Sequence, residues 1–268
     1  MSARSPVLVG AVAYHPRIVT IWERFRDYFG DAGVPTDYVL YSNYERLVNA
    51  LLAGEVDIAW NTNTAYVAAE HRIGGNARLL GMRDVDADFR TVLVTRRGES
   101  FDELGELSAK RVALGSRDSG HAAILPLHWL REAGAEPELV RFDTDLGKHG
   151  DTGDSEIRVA EAVTHGEADA GAIGDATWAA LRTEGHPAVA GLQVAWRSPT
   201  YYHCNFTSLP TLDQQTAERW SGALLAMSYG DPTLRPAMDL EGVKQWLAAD
   251  RDGYRVLEQA MREQGYLG

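Results

Sequence analysis

The chain has 268 residues, 45% hydrophobic and 24% charged, which is the composition of a folded globular protein long enough for one large α/β domain or two lobes. Its 38 acidic residues outnumber the 26 basic ones for a formal net charge of -12, so no basic field is present to neutralise a phosphate backbone, and no nucleic-acid partner is predicted. The single cysteine, Cys204, excludes an internal disulfide and a cysteine-rich metal site, and no run supplies the roughly 20 apolar residues of a membrane span.

Residues 6–14 read as a buried strand and 17–31 as the helix that follows. A second strand is predicted over 36–42, a capped helix over 43–54, a third strand over 56–61 and a helix over 62–72. This β-α-β-α-β-α order predicts a mostly parallel sheet with ligand groups at the carboxyl ends of its strands. A strand over 87–97 leaves that unit. A second unit repeats the order: strand 111–116, helix 119–133, strand 138–143, a glycine-rich loop over 147–156, helix 157–166, strand 168–175 and helix 176–185. The chain then crosses back through 192–198 and ends in helices at 213–229, 231–236, 240–249 and 253–264. Taking 90–97 and 192–198 as hinges gives lobe one as 1–92 plus 198–268 and lobe two as 93–197, with the ligand in the cleft between them.

The segment from Gly115 to Gly134 carries the clearest functional signal. Gly115 and Gly120 permit tight backbone turns, and Ser116, Asp118 and Ser119 supply caps or hydroxyls at the start of a long apolar-periodic helix. The first-turn N–H groups of such a helix have no backbone acceptor and, with the helix dipole, suit an anion. His121 falls on that first turn. An ordinary helix cap accounts for the same residues without a ligand.

Other candidates follow the remaining strands. Tyr14 and His15 come after the first strand, Tyr41, Ser42 and Asn43 after the second, and Asn61, Thr62, Asn63 and Thr64 after the third. Lys148, His149 and Asp151 lie in the glycine-rich loop, which is either a ligand cover or simply solvated. Tyr201, Tyr202, His203, Cys204 and Asn205 follow the second crossing; Cys204 beside a histidine could be a nucleophile, a soft metal ligand, or a buried small hydrophobe. There is no GxGxxG fingerprint after a strand, no GxxxxGK[ST] loop and no HExxH motif, so the reading carries no cofactor and no metal.

Two stretches, GSRDSGHAAILPLHWLREAG at 115–134 and EAVTHGEADAGAIGD at 161–175, resemble the phosphonate-binding branch of the type II periplasmic solute-binding proteins, which deliver small anions to ABC transporters. The resemblance runs from Val7 to the C-terminal helices. It implies an α/β, two-lobed fold of the type II periplasmic-binding-protein kind with an interlobe cleft, an anion loop at Ser116, Ser119 and Gly120, and a lobe-closing acid at Asp175. Such proteins are exported or lipid-anchored, whereas the start of this chain resembles neither signal.

Two functions follow. The first is reversible binding of a small anionic or zwitterionic solute, with an ABC transporter permease as partner if the protein is exported. The second is a cytoplasmic enzyme working on an anionic metabolite through His203, Cys204 and His121, since the same fold also carries enzymes. Met1 as the native start implies a cytoplasmic protein; a removed leader implies a periplasmic or extracellular one. Under either function the segments 14–15, 41–43, 61–64, 116–121 and 201–205 should converge on one cleft.

Overall fold

The computed structural model describes residues 6–268; Met1–Ser5, part of the opening on which the compartment reading rests, lie outside them. In chain order the elements are β1 (Val7–Val12), α1 (Arg17–Asp31), β2 (Thr36–Tyr41), α2 (Tyr44–Ala53), β3 (Ile58–Asn61), α3 (Asn63–Arg72), β4 (Arg78–Arg83) and α4 (Asp84–Ala87). Next come β5 (Thr91–Arg96), β6 (Arg111–Leu114), α5 (Leu125–Glu132), β7 (Glu138–Arg141), α6 (Asp154–Thr164), β8 (Ala170–Gly174), α7 (Asp175–Thr183) and β9 (Leu192–Arg197). The chain ends with β10 (Asn205–Ser208), α8 (Gln214–Leu225), α9 (Arg235–Glu241), β11 (Trp246–Leu247) and α10 (Arg255–Glu263).

These elements form two compact units. One holds the described residues up to Asp88 together with Tyr202–Arg255, and the other holds Phe89–Tyr201 with Val256–Gly268. The first unit is built on a sheet ordered β11-β4-β10-β3-β1-β2. Strands β2, β1 and β3 run parallel, while β10 is antiparallel to both β3 and β4. Helix α1 buries Ile18, Ile21, Trp22, Phe25 and Phe29, a stripe at helical spacing that joins Trp60, Phe206, Trp220 and Trp246 in one aromatic-rich core. On β1, Gly10 admits α2 closely: a Cβ there would come within 2.4 Å of the Leu47 side chain.

The second unit follows the same plan with different residues. Its sheet is ordered β7-β6-β8-β5-β9, with β7, β6 and β8 parallel and β5 antiparallel to β8 and β9. Val92, Val94, Ala113, Val159, Val163 and Ile173 pack together at its centre.

Four features differ from the sequence reading. Each sheet is mixed, because a strand entering next to a crossing inserts antiparallel beside the parallel set. Strands β4 and β10 are additional; β10 is buried along its whole length yet reads Asn-Phe-Thr-Ser, so its polar composition hides a central strand. Where a helix over 240–249 is predicted, α9 ends at Glu241 with Gly242 in the left-handed region, and β11 follows. The chain passes between units at 88/89, 201/202 and 255/256, so the segments around 90–97 and 192–198 are strands of the second sheet and the last helix joins the second unit.

That last assignment has specific contacts. Leu257, Ala260 and Met261 are buried, Glu263 pairs with the buried His128 at 2.7 Å, the Gln264 amide donates to the Ile124 carbonyl at 2.8 Å, and the Tyr266 hydroxyl donates to the Arg117 carbonyl at 2.6 Å. Amphipathic spacing says which face is apolar, not which core it joins. Leu257→Ala is therefore expected to lower stability by about 2–5 kcal/mol. Hydrogen exchange should show the lost protection in α5 and the second sheet; loss confined to α1 and α8 would contradict this assignment.

Candidate functional site

In the second unit the turns after β6, β7 and β8 share the carboxyl edge of the parallel strands. Ser119 is extended and caps the next turn, accepting from the Ala122 N–H at 3.2 Å. Residues Gly120–Ile124 form one π-helical turn that runs directly into α5. Its ladder starts with the Ala123 and Ile124 N–H groups on the Ser119 carbonyl, at 3.2 and 3.0 Å, so the Gly120 and His121 amides precede it. A widened first turn of this kind leaves N–H groups directed beyond the helix end.

The loop between β7 and α6 lies against that turn. Ser116 donates its hydroxyl proton to Asp145 in a short hydrogen bond and accepts from the Asp145 N–H at 3.1 Å, while Thr152 donates to the other Asp145 oxygen at 2.9 Å. Gly150 has φ near +89°, and a Cβ there would stand 2.7 Å from Ser119 Oγ and 2.9 Å from the His121 ring. Only glycine lets the loop approach so closely. Asp118 accepts from the Gly147 N–H at 2.5 Å, and burial raises its carboxyl pKa. Ser155, fully buried at the start of α6, has a hydroxyl with no hydrogen-bond partner among the described residues.

Charge under the turn comes from His121 and Glu156, both buried, with 3.3 Å between Nε2 and a carboxylate oxygen. Glu156 also accepts from the Gly174 N–H at 2.6 Å and the Thr177 hydroxyl at 3.0 Å. Burial works against a charged His121, but attraction to Glu156, with Asp151 and Asp145 adding to it, raises the imidazole pKa above its ordinary value. Asp175 begins α7 half-buried, its carboxyl pKa raised by that burial, and accepts a long 3.4 Å bond from the Arg90 N–H. The sequence reading missed Thr152, Ser155 and Glu156 because it took 147–156 as loop, and Asp145 because it falls between that loop and the strand predicted over 138–143. The signal available was a Gly-Asp-Ser-Glu helix start at Gly153–Glu156.

In the first unit, the 14–15, 41–43 and 61–64 segments follow β1, β2 and β3 at one edge of the parallel set. His15 is exposed and accepts from the Arg17 N–H at 3.2 Å; half-buried Tyr14 has the Arg17 guanidinium 5.9 Å from its ring. Tyr41 is half-buried and Ser42 exposed, while Asn43 caps α2 by accepting from the Arg46 N–H at 2.9 Å. Thr62 caps α3 through the Ala65 N–H at 3.2 Å, Asn63 bonds the Thr64 N–H and the Tyr202 carbonyl, and Thr64 is buried with them. Asn61 differs: it is fully buried, and neither amide atom has a hydrogen-bond partner among the described residues.

The 201–205 segment is divided between the units. Tyr201 is core of the second unit, with its hydroxyl 2.9 Å from Thr91 Oγ1 and its ring against Trp129, which leaves it no open face as an aromatic wall. Tyr202 is half-buried against Tyr254, and its N–H donates to the Gly253 carbonyl. His203 and Cys204 are both buried, with Cys204 Sγ 3.1 Å and Asp86 Oδ1 3.4 Å from the same ring nitrogen, Nδ1. A Cys-His-Asp relay needs nucleophile and carboxylate on opposite nitrogens, so this arrangement does not support the enzymatic alternative.

A surface cavity of about 490 Å³ lies at the opposite, amino-terminal edge of the second sheet, lined by Arg96, Glu99, Lys110 and Asp169. Arg96 already pairs there with Glu99 and Asp169, so the guanidinium that lines this cavity is neutralised by its own neighbours.

The chain matches the family model described as "ABC transporter, phosphonate, periplasmic substrate-binding protein" over residues 10–254. It is 21% identical over 240 residues to the probable ABC transporter phosphite binding protein PhnD1 of Prochlorococcus marinus (strain MIT 9301), covering 86% of this chain and 79% of that protein. The structure of PhnD1 in complex with methylphosphonate has a TM-score of 0.76 at 19% identity, covering 97% of this chain and 98% of that one. XAC2383 from Xanthomonas citri bound to ATP gives 0.73 at 18% identity, covering 98% of each chain. The periplasmic aliphatic sulphonate binding protein SsuA from Escherichia coli gives 0.62 at 16%, covering 98% of this chain and 92% of that one. These likenesses bear out the expected two-lobed α/β fold, and the expectation of a cytoplasmic protein finds no support in a periplasmic family. Among the described residues no helix is long and apolar enough to cross a membrane. With its model spanning nearly the whole length, the chain belongs to the phosphonate-binding family of periplasmic substrate-binding proteins of ABC transporters.

Proposed function

We propose that this protein binds a small tetrahedral oxyanion of the phosphonate or phosphite class, reversibly and without changing it, at the π-helical turn of the second unit. The observation that carries this reading is the turn itself: the Gly120 and His121 amides precede the helical ladder, and beneath them sits an imidazole whose charged form Glu156 favours. The helix dipole and the first-turn amides favour negative charge at the turn, while Glu156 pairs with the imidazolium and keeps it in its charged form. Ser119 contributes a hydroxyl. Ser116 commits its proton to Asp145, so toward a ligand it acts as an acceptor and favours an oxyanion that keeps a P–OH. Asp175, with its raised pKa, is suited to share that proton. Family membership and the phosphite and methylphosphonate named for PhnD1 support the ligand class. The proposed partner is an ABC transporter permease, and the proposed compartment is the periplasm.

Calorimetric titration of the purified protein with phosphite, methylphosphonate and sulfate tests this reading. Saturable one-to-one binding of a phosphorus oxyanion, recovered intact afterwards, is the expected outcome; no heat with any of the three would sink the proposal. Ser119→Ala should weaken binding about 10- to 100-fold, the value of one hydrogen bond to a charged group.

The His121–Glu156 pair also makes a pH prediction. A histidine whose folded pKa is raised contributes stability that is fully present below its unfolded pKa of about 6.5 and is lost as pH rises through the folded value. Urea midpoints should therefore lose this contribution as pH rises from 6 to 9. Glu156→Ala should remove the dependence and cost about 3–5 kcal/mol at pH 6. A variant with the wild-type pH profile would show that the pair is not the source.

A further inference from the structure

The first unit buries a second constellation that oxyanion binding does not use. Asp86, His203 and Cys204 are all buried, and their nearest ligand-type atoms lie within 4.8 Å of one another. Their positions are imposed by the backbone. The His203 N–H donates to the Asp86 carbonyl at 3.0 Å, which sets the chain entering β10 beside the chain leaving α4. Arg83 fixes Asp86 from behind, with Nε 2.6 Å from one carboxylate oxygen and an Nη 2.9 Å from the other, and reaches Glu241 at 3.3 Å.

We propose that Asp86 Oδ1, His203 Nδ1 and Cys204 Sγ form a binding site for a borderline-soft divalent cation of the zinc type. One imidazole nitrogen facing both a thiol and a carboxylate is poor geometry for proton relay but suits three donors around one ion. Usual tetrahedral zinc bonds set the N–O edge at about 3.4 Å and the N–S edge at about 3.6 Å. The two edges that meet at Nδ1 are 3.4 and 3.1 Å, so on binding the sulfur moves away from the ring by about half an ångström, and the third edge, from carboxylate to sulfur, closes within the 4.8 Å that bounds all three donors. Arg83 does not compete for the position: a carboxylate oxygen has two lone pairs, and a second group holding a ligating carboxylate is the usual outer support of a metal site.

Charge points the same way. Arg83, Asp86 and Glu241 sum to one negative charge in a buried setting. A divalent ion with a Cys204 thiolate adds one positive charge and neutralises the group. On binding, the Cys204 S–H bond breaks, its proton passes to the buffer, and a sulfur–metal bond forms, while His203 ligates through a neutral ring.

Cobalt(II) is the probe, because thiolate ligation gives it a near-ultraviolet charge-transfer band. Chelator-treated protein is titrated with Co²⁺ both folded and during refolding from urea, since the site is closed to solvent. One Co²⁺ per chain with that band, displaced by Zn²⁺, is expected, and Cys204→Ala should abolish the band and weaken uptake at least about tenfold. If Cys204→Ala does not fold, His203→Gln carries the same expectation. Absence of the band in both wild-type preparations, or wild-type uptake by a folded variant, overturns the proposal.

Discussion

A buried carboxylate must find its partners inside the protein, and in the second unit Glu156 imposes that requirement. It is fully buried, and its two oxygens are met by the His121 ring, the Gly174 N–H and the Thr177 hydroxyl. Those groups come from the π-helical turn, the end of β8 and the first turn of α7. Because leaving any one unmade is costly, a single acid holds three chain segments at the carboxyl edge of the sheet. Gly150 closes the arrangement from the other side, where a side chain would collide with Ser119 and His121.

Both sheets place their polar turns by the same topological device. Three parallel strands end at a common edge, and an antiparallel strand next to a crossing fills the sheet beside them. The parallel set gathers loops that are distant in sequence, and the antiparallel neighbour starts at the same edge, Asn205 opposite Asn61 and Thr91 opposite Gly174, so the chain entering it joins those loops. Chemistry and cavity size separate as a result. The open space of the second sheet includes a cavity at its amino edge, while the convergent donors and the buried charge lie at its carboxyl edge.

The two buried charge systems differ in what holds them. Around Asp86 the cation is an arginine, which stays charged at any physiological pH and fixes the carboxylate firmly. Around Glu156 it is a histidine, whose charge depends on its surroundings and on pH. The first anchors two strands of chain in a core; the second puts a pH-responsive group on the π-helical turn that opens α5. His203, beside Cys204 and Asp86, belongs to the anchored system, which is why adjacency in sequence misleads about its role.

Much of the architecture was legible in the residues alone. The alternation of apolar strand and amphipathic helix requires α/β layers, because each element must bury one face, and Gly115–His121 signals a helix start at a strand end whatever the tertiary setting. Capping by Asn43, Thr62 and Ser119 is equally local, since the acceptor lies three residues from the donor in each case. What pattern could not specify is which buried surface an element joins. The stripe on α10 fits either core, β10 hides as Asn-Phe-Thr-Ser, and Tyr201 reads as a ligand wall until Thr91 and Trp129 are seen to enclose it. Pairings such as Ser116 with Asp145, His121 with Glu156 and Asp86 with His203 span 29, 35 and 117 positions. Local sequence determines conformational preference within a turn or two, whereas the partner of a buried polar group is chosen only when the packed chain removes water from around it.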